Sequence, residues 1–446
     1  MGIERSPITK RNPSLSSPLA IHGGPKAVQS DAGDIFDWPI VTQQDETAVL
    51  EVLRDGRMSA LDVTLQLEQE FAAFSGVRFA LGCNNGTASL HSAMFGCGVG
   101  VGDEVICQSP VIWASAMPAF SLGATVVFAD IDPHTLTLDP EDVERKITEH
   151  TKAIVAVHYF GYPCDMDGIM AVASRHDIKV IEDLSHAHGA LFQGRKVGTI
   201  GDVAAMSAMS EKGLAIGEGG FLVTDDREIY ERAVAFGHYE RTEWMAGPLR
   251  HQIVTPDLQK LARVPLGGYK YRMHQLSAAV GRVQLEHFPQ RMTQIQRSMN
   301  YFWDLLEDVP GLKAHRPPAD SGSTMGGWYM PHGLLADEVG EVEVNRFCQA
   351  VKAEGAPTTP GMNELLHLHP VFNEADIYGH GKPTRIAHSR RDVRQPAGSL
   401  PVSERMINRV YSVPWFKHYR PPIIEEYASA FKKVAAHAAE LTAEFI

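Results

Sequence analysis

The chain has 446 residues, 44% of them hydrophobic, which is enough to bury one large core and a second, smaller one. Its 41 Lys and Arg against 54 Asp and Glu leave a net charge of −13, which argues against non-specific attraction to nucleic acid or to an anionic membrane. Five cysteines (Cys83, Cys97, Cys107, Cys164 and Cys348) are sparse and lack metal-ligand spacing, so neither a disulfide framework nor a metal site is expected.

Residues 1–40 are rich in Pro, Ser and Gly without helical or strand period, and read as a poorly ordered or draping arm. Residues 1–17 lack the apolar core of a signal peptide, and no apolar run is long enough to span a bilayer. A cytoplasmic protein with no nucleic-acid and no membrane partner is therefore expected. From Thr42 onward, helical patterns at 89–95 and 167–176 alternate with β-rich runs at 104–107, 125–128, 153–157 and 179–181. That alternation predicts an α/β fold with a mostly parallel central sheet, helices on both faces, and ligands bound beyond the carboxyl ends of the strands. A further helical pattern at 273–288 precedes a mostly helical C-terminal third, broken by a polar, Gly/Pro-bearing stretch at 379–398. The expected division is an arm at 1–40, a large unit at 41–290 and a smaller C-terminal α/β unit at 291–446.

Chemistry first shows at Val180-Ile181-Glu182-Asp183-Leu184-Ser185-His186, where a buried-strand pattern ends in two carboxylates and a histidine. Strand ends are where such sheets build sites, although Asp183 taken alone reads as a helix cap before it reads as a catalytic group. Its counterpart lies in Ser207-Ala208-Met209-Ser210-Glu211-Lys212-Gly213, followed by Gly217-Glu218-Gly219-Gly220. A lone lysine is usually a solvated charge. Lys212, however, sits between the mostly apolar run 203–209 and a glycine cluster leading into the strand-like run 221–224, which suggests a cleft where an amine can lose its proton and attack a carbonyl.

The ordered set Asn85-Gly86-Thr87-Ala88-Ser89-Leu90, Pro110 with Trp113, Gly161-Tyr162-Pro163, Glu182-Asp183, Ser207 five before Lys212, and Gly217-Glu218-Gly219-Gly220 resembles the DegT/StrS family of sugar aminotransferases. These are fold-type I enzymes dependent on pyridoxal 5′-phosphate, and the resemblance runs from about Ile21 to the C-terminus. It implies that Lys212 carries the cofactor in Schiff-base linkage and shuttles the substrate proton, while Asp183 keeps the pyridine nitrogen protonated. It also implies that Gly86, Thr87 and Ala88 offer a helix N-terminus to the cofactor phosphate, joined by Ser207, and that Trp113 stacks on the ring. Ser185 and His186 belong to the same cofactor-binding run. Without the resemblance, Gly86-Thr87-Ala88 reads equally as a plain N-cap and Trp113 as ordinary packing.

Two departures from the family pattern stand out. His186 occupies a position where the family commonly has glutamine, which makes a pH-responsive charge there an expectation. Lys270, in Gly268-Tyr269-Lys270-Tyr271-Arg272-Met273, stands where the common pattern has asparagine reaching the partner subunit's cofactor phosphate; otherwise it is a solvated lysine ahead of a helix. The Lys-Tyr-Arg-Met form resembles a minority branch that includes aminotransferases acting on 3-oxo-glucose-6-phosphate. The implied reaction is ping-pong transamination from glutamate or glutamine to a keto-sugar, sugar phosphate or keto-cyclitol, in amino-sugar or secondary-metabolite biosynthesis, by a homodimer with shared active sites. Two rivals within the resemblance are a PLP-dependent sugar dehydratase, in which histidine replaces the lysine, and a non-catalytic PLP- or sugar-binding regulator. A nucleotide-binding oxidoreductase would need a Gly-rich turn after the first strand, and Asn85-Gly86-Thr87 is not one.

Overall fold

The structure is a computed structural model describing residues 17–238, 241, 253–261, 264–340 and 342–442. In chain order its strands are β1 (Phe79–Cys83), β2 (Glu104–Gln108), β3 (Thr125–Ala129), β4 (Thr151–Val157), β5 (Lys179–Asp183), β6 (Leu191–Phe192), β7 (Arg195–Lys196), β8 (Val203–Ser207), β9 (Gly220–Thr224), β10 (Leu312–Ala314), β11 (His332–Leu335) and β12 (Val410–Ser412). Seven of them form the central sheet in the order β1-β9-β8-β5-β4-β2-β3. All its pairings are parallel except those of β9, which runs antiparallel to both β1 and β8. The α/β architecture expected from the alternating pattern is therefore present.

Both faces of this sheet are covered, and the strand period sorts the side chains between them. Ile106, Val127, Ile154, Val180 and Ala204 enter one buried cluster, while their neighbours Val105, Val126, Val155, Ile181 and Ala205 enter the other. A strand buried on both faces needs apolar residues at every position, which is why these runs read as continuous rather than alternating. Helices begin where a short polar side chain can cap them: Asn85 accepts from Ala88 N–H at the start of the Gly86–Gly96 helix, and Asp165 from Gly168 N–H at the start of Met166–His176.

The helix expected over 273–288 runs from Gln275 to Leu306, straight through Pro289. A proline in a helix interior costs about 3 kcal/mol. Beyond it, however, Ile295, Met299, Phe302, Trp303 and Leu306 are all buried, and each full burial is worth roughly 1.5–3 kcal/mol. Packing therefore outweighs the break, and the division expected at residue 290 falls inside this helix.

The C-terminal third is less helical than its composition suggests, because β10, β11 and β12 form an antiparallel sheet there, beside the Val344–Ala353 and Pro421–Ala436 helices. The polar 379–398 stretch lies along β3. Arg385 is buried there and donates through Nε to Val126 O (3.0 Å). The Gln395 amide both donates to Phe128 O (2.8 Å) and accepts from Phe128 N (3.0 Å).

The arm also departs from expectation. Residues 1–16 lie outside the described residues, but from residue 17 onward the arm is anchored, with Leu19 and Ile35 fully buried. The Glu354 carboxylate accepts from Ala20 N–H (2.7 Å) and Ala27 N–H (2.9 Å) and is itself paired with buried Lys433 at 2.9 Å. Proline and glycine break regular structure without preventing burial, and a pattern search for period misses such a segment. No helix among the described residues is long and apolar enough to cross a membrane.

Candidate active site

The carboxyl end of β5 carries the site. Glu182 and Asp183 are consecutive, so their side chains leave the strand on opposite faces. Glu182 is fully buried and takes Gly198, Ile200 and Gly201 N–H together with His158 Nε2, a structural staple for the turn before β8. Asp183, 1% exposed, accepts from Ser115 Oγ (2.7 Å) and from Ser185 N–H (2.9 Å). Ser185 Oγ in turn accepts from Ser207 N–H (3.0 Å), tying the ends of β5 and β8 together.

Lys212 follows β8 on a tight loop and is 7% exposed. Burial pushes its ammonium down to about 8, opposed by the Asp183 and Glu211 carboxylates, which favour the charged form. Its Nζ stands 3.6 Å from the centre of the Tyr329 ring. Tyr329 is held by a loop in which Trp328 and Met330 both adopt left-handed backbone (φ 54° and 46°), uncommon for residues with large side chains. The Lys212 backbone is fixed as well: its carbonyl accepts from Trp38 Nε1 (2.8 Å), and His188 Nδ1 accepts from Leu214 N–H (2.9 Å).

Gly86 opens its helix against the end of β8. A Cβ on Gly86 would stand 2.5 Å from Ser207 Cβ and 2.9 Å from Ser207 N, so only glycine permits this approach. The contact brings Gly86, Thr87 and Ser207 together. Ala88 differs from expectation, because its N–H already donates to Asn85 Oδ1 (2.8 Å) as part of the cap. Ser207 Oγ accepts from Met209 N–H (3.3 Å), which leaves its hydroxyl proton to donate elsewhere.

Trp113 and Ser115 share one 3₁₀ turn, in which residues two apart point in different directions. Ser115 turns inward onto Asp183, and Trp113 is left 52% exposed. His186 is buried, with Nδ1 accepting from Phe160 N–H (3.3 Å) and its ring 4.6 Å from Tyr329. Burial, with Lys212 nearby, holds its imidazole well below the usual histidine range, so the pH-responsive charge expected at this position is replaced by a neutral ring.

Lys270 is exposed. The backbone just after it is anchored, since Arg272 pairs with Cys83 and Asn84 N–H, two residues before Gly86, donates to Tyr271 O (2.7 Å). The Tyr271 hydroxyl also meets His91 Nδ1 at 2.8 Å. Sequence reasoning missed Ser115, Tyr329 and Trp38. Of these, only Ser115 left a signal, a hydroxyl two residues after the singled-out tryptophan.

These residues suit pyridoxal phosphate. The buried carboxylate keeps unshared lone pairs for a ring N–H, the amine has a lowered proton affinity, and the helix start offers its first-turn N–H groups to a phosphate.

Residues 39–430 match the model of the DegT/DnrJ/EryC1/StrS aminotransferase family. The chain is 35% identical over 368 residues to the spore coat polysaccharide biosynthesis protein SpsC of Bacillus subtilis, covering 81% of this chain and 91% of the relative. It is 33% identical over 426 residues to the L-glutamine:2-deoxy-scyllo-inosose aminotransferase of Streptoalloteichus tenebrarius, covering 91% and 95%. The crystal structure of an aminotransferase from Psychrobacter cryohalolentis superimposes with a TM-score of 0.76 at 27% identity, covering 90% of this chain and 99% of that one.

Proposed function

Because the chain belongs to the DegT/DnrJ/EryC1/StrS family of PLP-dependent aminotransferases that act on sugars and cyclitols, we propose that it moves an amino group from glutamate or glutamine to a keto-sugar, sugar phosphate or keto-cyclitol in two half-reactions. The observation that carries this reading is the presence of buried Asp183 near a buried Lys212 of lowered proton affinity at the carboxyl edge of the sheet.

When bound, pyridoxal phosphate supplies the carbonyl that receives the amino group and a ring that withdraws the electron pair left at the donor's α-carbon. Asp183 would hold a proton on the ring nitrogen, and Ser115 Oγ and the Ser185 N–H aim that carboxylate. Lys212 Nζ is the amine that would hold the cofactor covalently in the resting enzyme. The same amine, when free, would serve as the base that takes the donor's α-proton and as the acid that returns it. The first-turn N–H groups at Gly86 and Thr87, with the Ser207 hydroxyl, would hold the phosphate. Trp113 would cover one face of the ring, and His186, a neutral imidazole, would donate to the ring oxygen.

The dehydratase reading loses support because Lys212 is a lysine, and the regulator reading because Asp183 and Lys212 stand together. The likeness to a glutamine-dependent cyclitol aminotransferase over 91% of the chain supports a polyol ketone as acceptor. The Lys270 segment favours the branch that takes 3-oxo-glucose-6-phosphate. In this reading the enzyme is a homodimer, and the exposed Lys270 reaches the cofactor phosphate of the neighbouring subunit, where a full charge attracts a dianion more strongly than an amide does.

The test is the visible spectrum of the purified holoenzyme during titration with glutamate, glutamine and then candidate keto-sugars. One donor should bleach the cofactor band and one acceptor restore it; no response to any amino acid would end the reading. For Lys270, mixed dimers of Lys212→Ala and Lys270→Ala subunits should regain activity that neither parent has. Absence of that gain would remove the cross-subunit role.

A further inference from the structure

Behind the Lys212 wall lies a second buried lysine that the transamination chemistry does not use. Lys417 is 4% exposed, and its Nζ stands 3.0 Å from the Trp415 ring centre and 5.6 Å from that of Trp38. Both indoles also border the candidate active site. Trp38 Nε1 donates to the Lys212 carbonyl, and Trp415 meets the edge of Tyr329 at 6.0 Å, the ring over which the Lys212 amine sits. The backbone N–H of Lys417 is fixed on Ile35 O (2.8 Å), which locks the side chain's root to the arm.

The amine is poorly satisfied. It carries up to three N–H donors, and its hydrogen bond among the described residues is to Trp415 O at 3.2 Å. Among the same residues no carboxylate pairs with it. The 34–38 segment brings Asp34, which pairs with Arg420, and Asp37, which is exposed. The 412–420 segment brings His418 and Arg420, and the 326–330 loop brings Tyr329, whose hydroxyl burial pushes up to about 12. A structural lysine buried this deeply normally acquires a counter-ion, as Lys433 does with Glu354 in this chain. Two indole faces stabilise a cation without neutralising it.

We propose that Lys417 binds an oxyanion of the substrate, a carboxylate or phosphate remote from the reacting carbon, and that the ligand supplies the missing counter-ion. The proposal rests on the aminotransferase reading and adds to it a charge requirement on donor or acceptor. Burial pushes the free amine down to about 6, so at neutral pH the unliganded side chain is mostly neutral. A bound anion raises it again, so binding takes up a proton. The tryptophan cage thus stays uncharged until an anion arrives, avoiding a permanently buried charge.

The test uses calorimetry on the cofactor-loaded enzyme, in which the cofactor's own phosphate site is filled. Two probes are titrated at about pH 7.5 in buffers of different protonation enthalpy. Glutarate stands in for the amino donor's carbon skeleton. Sulfate, which has no proton to exchange in this range, stands in for a phosphorylated acceptor. At least one should bind wild type with uptake of close to one proton. Lys417→Met should weaken that probe at least tenfold and abolish the uptake, while Lys417→Arg should retain the affinity without uptake, because its charge is permanent. Loss confined to glutarate assigns the contact to the donor, and loss confined to sulfate to a phosphorylated acceptor. Binding of neither probe by wild type, or unchanged affinity and uptake in Lys417→Met, overturns the proposal. Wild-type proton uptake needs no variant and so survives any folding defect. The spectral donor titration is read separately, so failure of the aminotransferase reading remains distinguishable.

Discussion

With its ammonium held near 8 by burial, Lys212 changes charge within reach of neutral pH, and only the neutral amine can attack a carbonyl. Capture of pyridoxal phosphate by the apoprotein should therefore accelerate about tenfold per pH unit below 8 and level off above it, as stopped-flow absorbance would read. In Asp183→Asn the inflection should move to lower pH, because the lost carboxylate favoured the charged amine. The same shift has a sign for stability. The unfolded chain keeps this lysine protonated up to its ordinary value of 10.5, whereas the folded apoprotein sheds the proton above about 8, so the apoprotein should gain stability as pH rises between the two. Lys212→Ala should remove covalent attachment altogether, and borohydride trapping with peptide mapping should then find no pyridoxyl lysine. Ser115→Ala leaves a buried carboxylate one donor short. A hydrogen bond to a charged group contributes about 1.5–3 kcal/mol, so the donor half-reaction should slow roughly tenfold to a hundredfold, and Ser115→Thr should recover most of it.

At the scale of elements, the meeting of the Gly86 helix with β8 has no slack. Gly86→Ala should drive the helix start away from Ser207 and lower cofactor affinity at least tenfold by equilibrium dialysis, with the far-ultraviolet spectrum unchanged. Much of this level was legible in the sequence. Strands β2 to β5 each appear as apolar runs within two residues of their observed bounds, because a strand buried on both faces must be apolar throughout. Asp183 and Lys212 sit at or just beyond strand ends, where topology gathers sites, so the strand pattern points to them, whereas Ser207 is legible only through the family resemblance. Tyr329 and Trp38 were not legible. They reach Lys212 from positions more than 110 residues downstream and upstream, through a strained loop and an arm that carry no periodic signal. The 273–288 pattern covers only the first part of the Gln275–Leu306 helix, whose continuation past Pro289 depends on packing that local propensity does not carry.

Across the whole molecule, the buried Glu354–Lys433 pair fastens the arm, and the arm's Trp38 in turn fastens the Lys212 carbonyl. Removing one partner of a buried pair typically costs about 3–5 kcal/mol. Glu354→Ala should therefore lower the melting temperature, speed amide exchange over residues 19–30, and loosen the cofactor although no residue in contact with it has changed. Hydrogen-exchange mass spectrometry would report the coupling directly. The outermost strand of the sheet carries a different consequence. Along β3, the Gln395 side chain offers an N–H and a C=O to Phe128 just as one peptide unit of an eighth strand would, and Arg385 fills the next acceptor. The chain has in effect forged the hydrogen-bonding signature of a missing strand from two side chains, and thereby denies that place to any other molecule's backbone. Such a counterfeit can be withdrawn by a single truncation. In Gln395→Ala the exposed edge becomes a template, and warming should produce concentration-dependent light scattering and cross-β growth well before the wild type shows either.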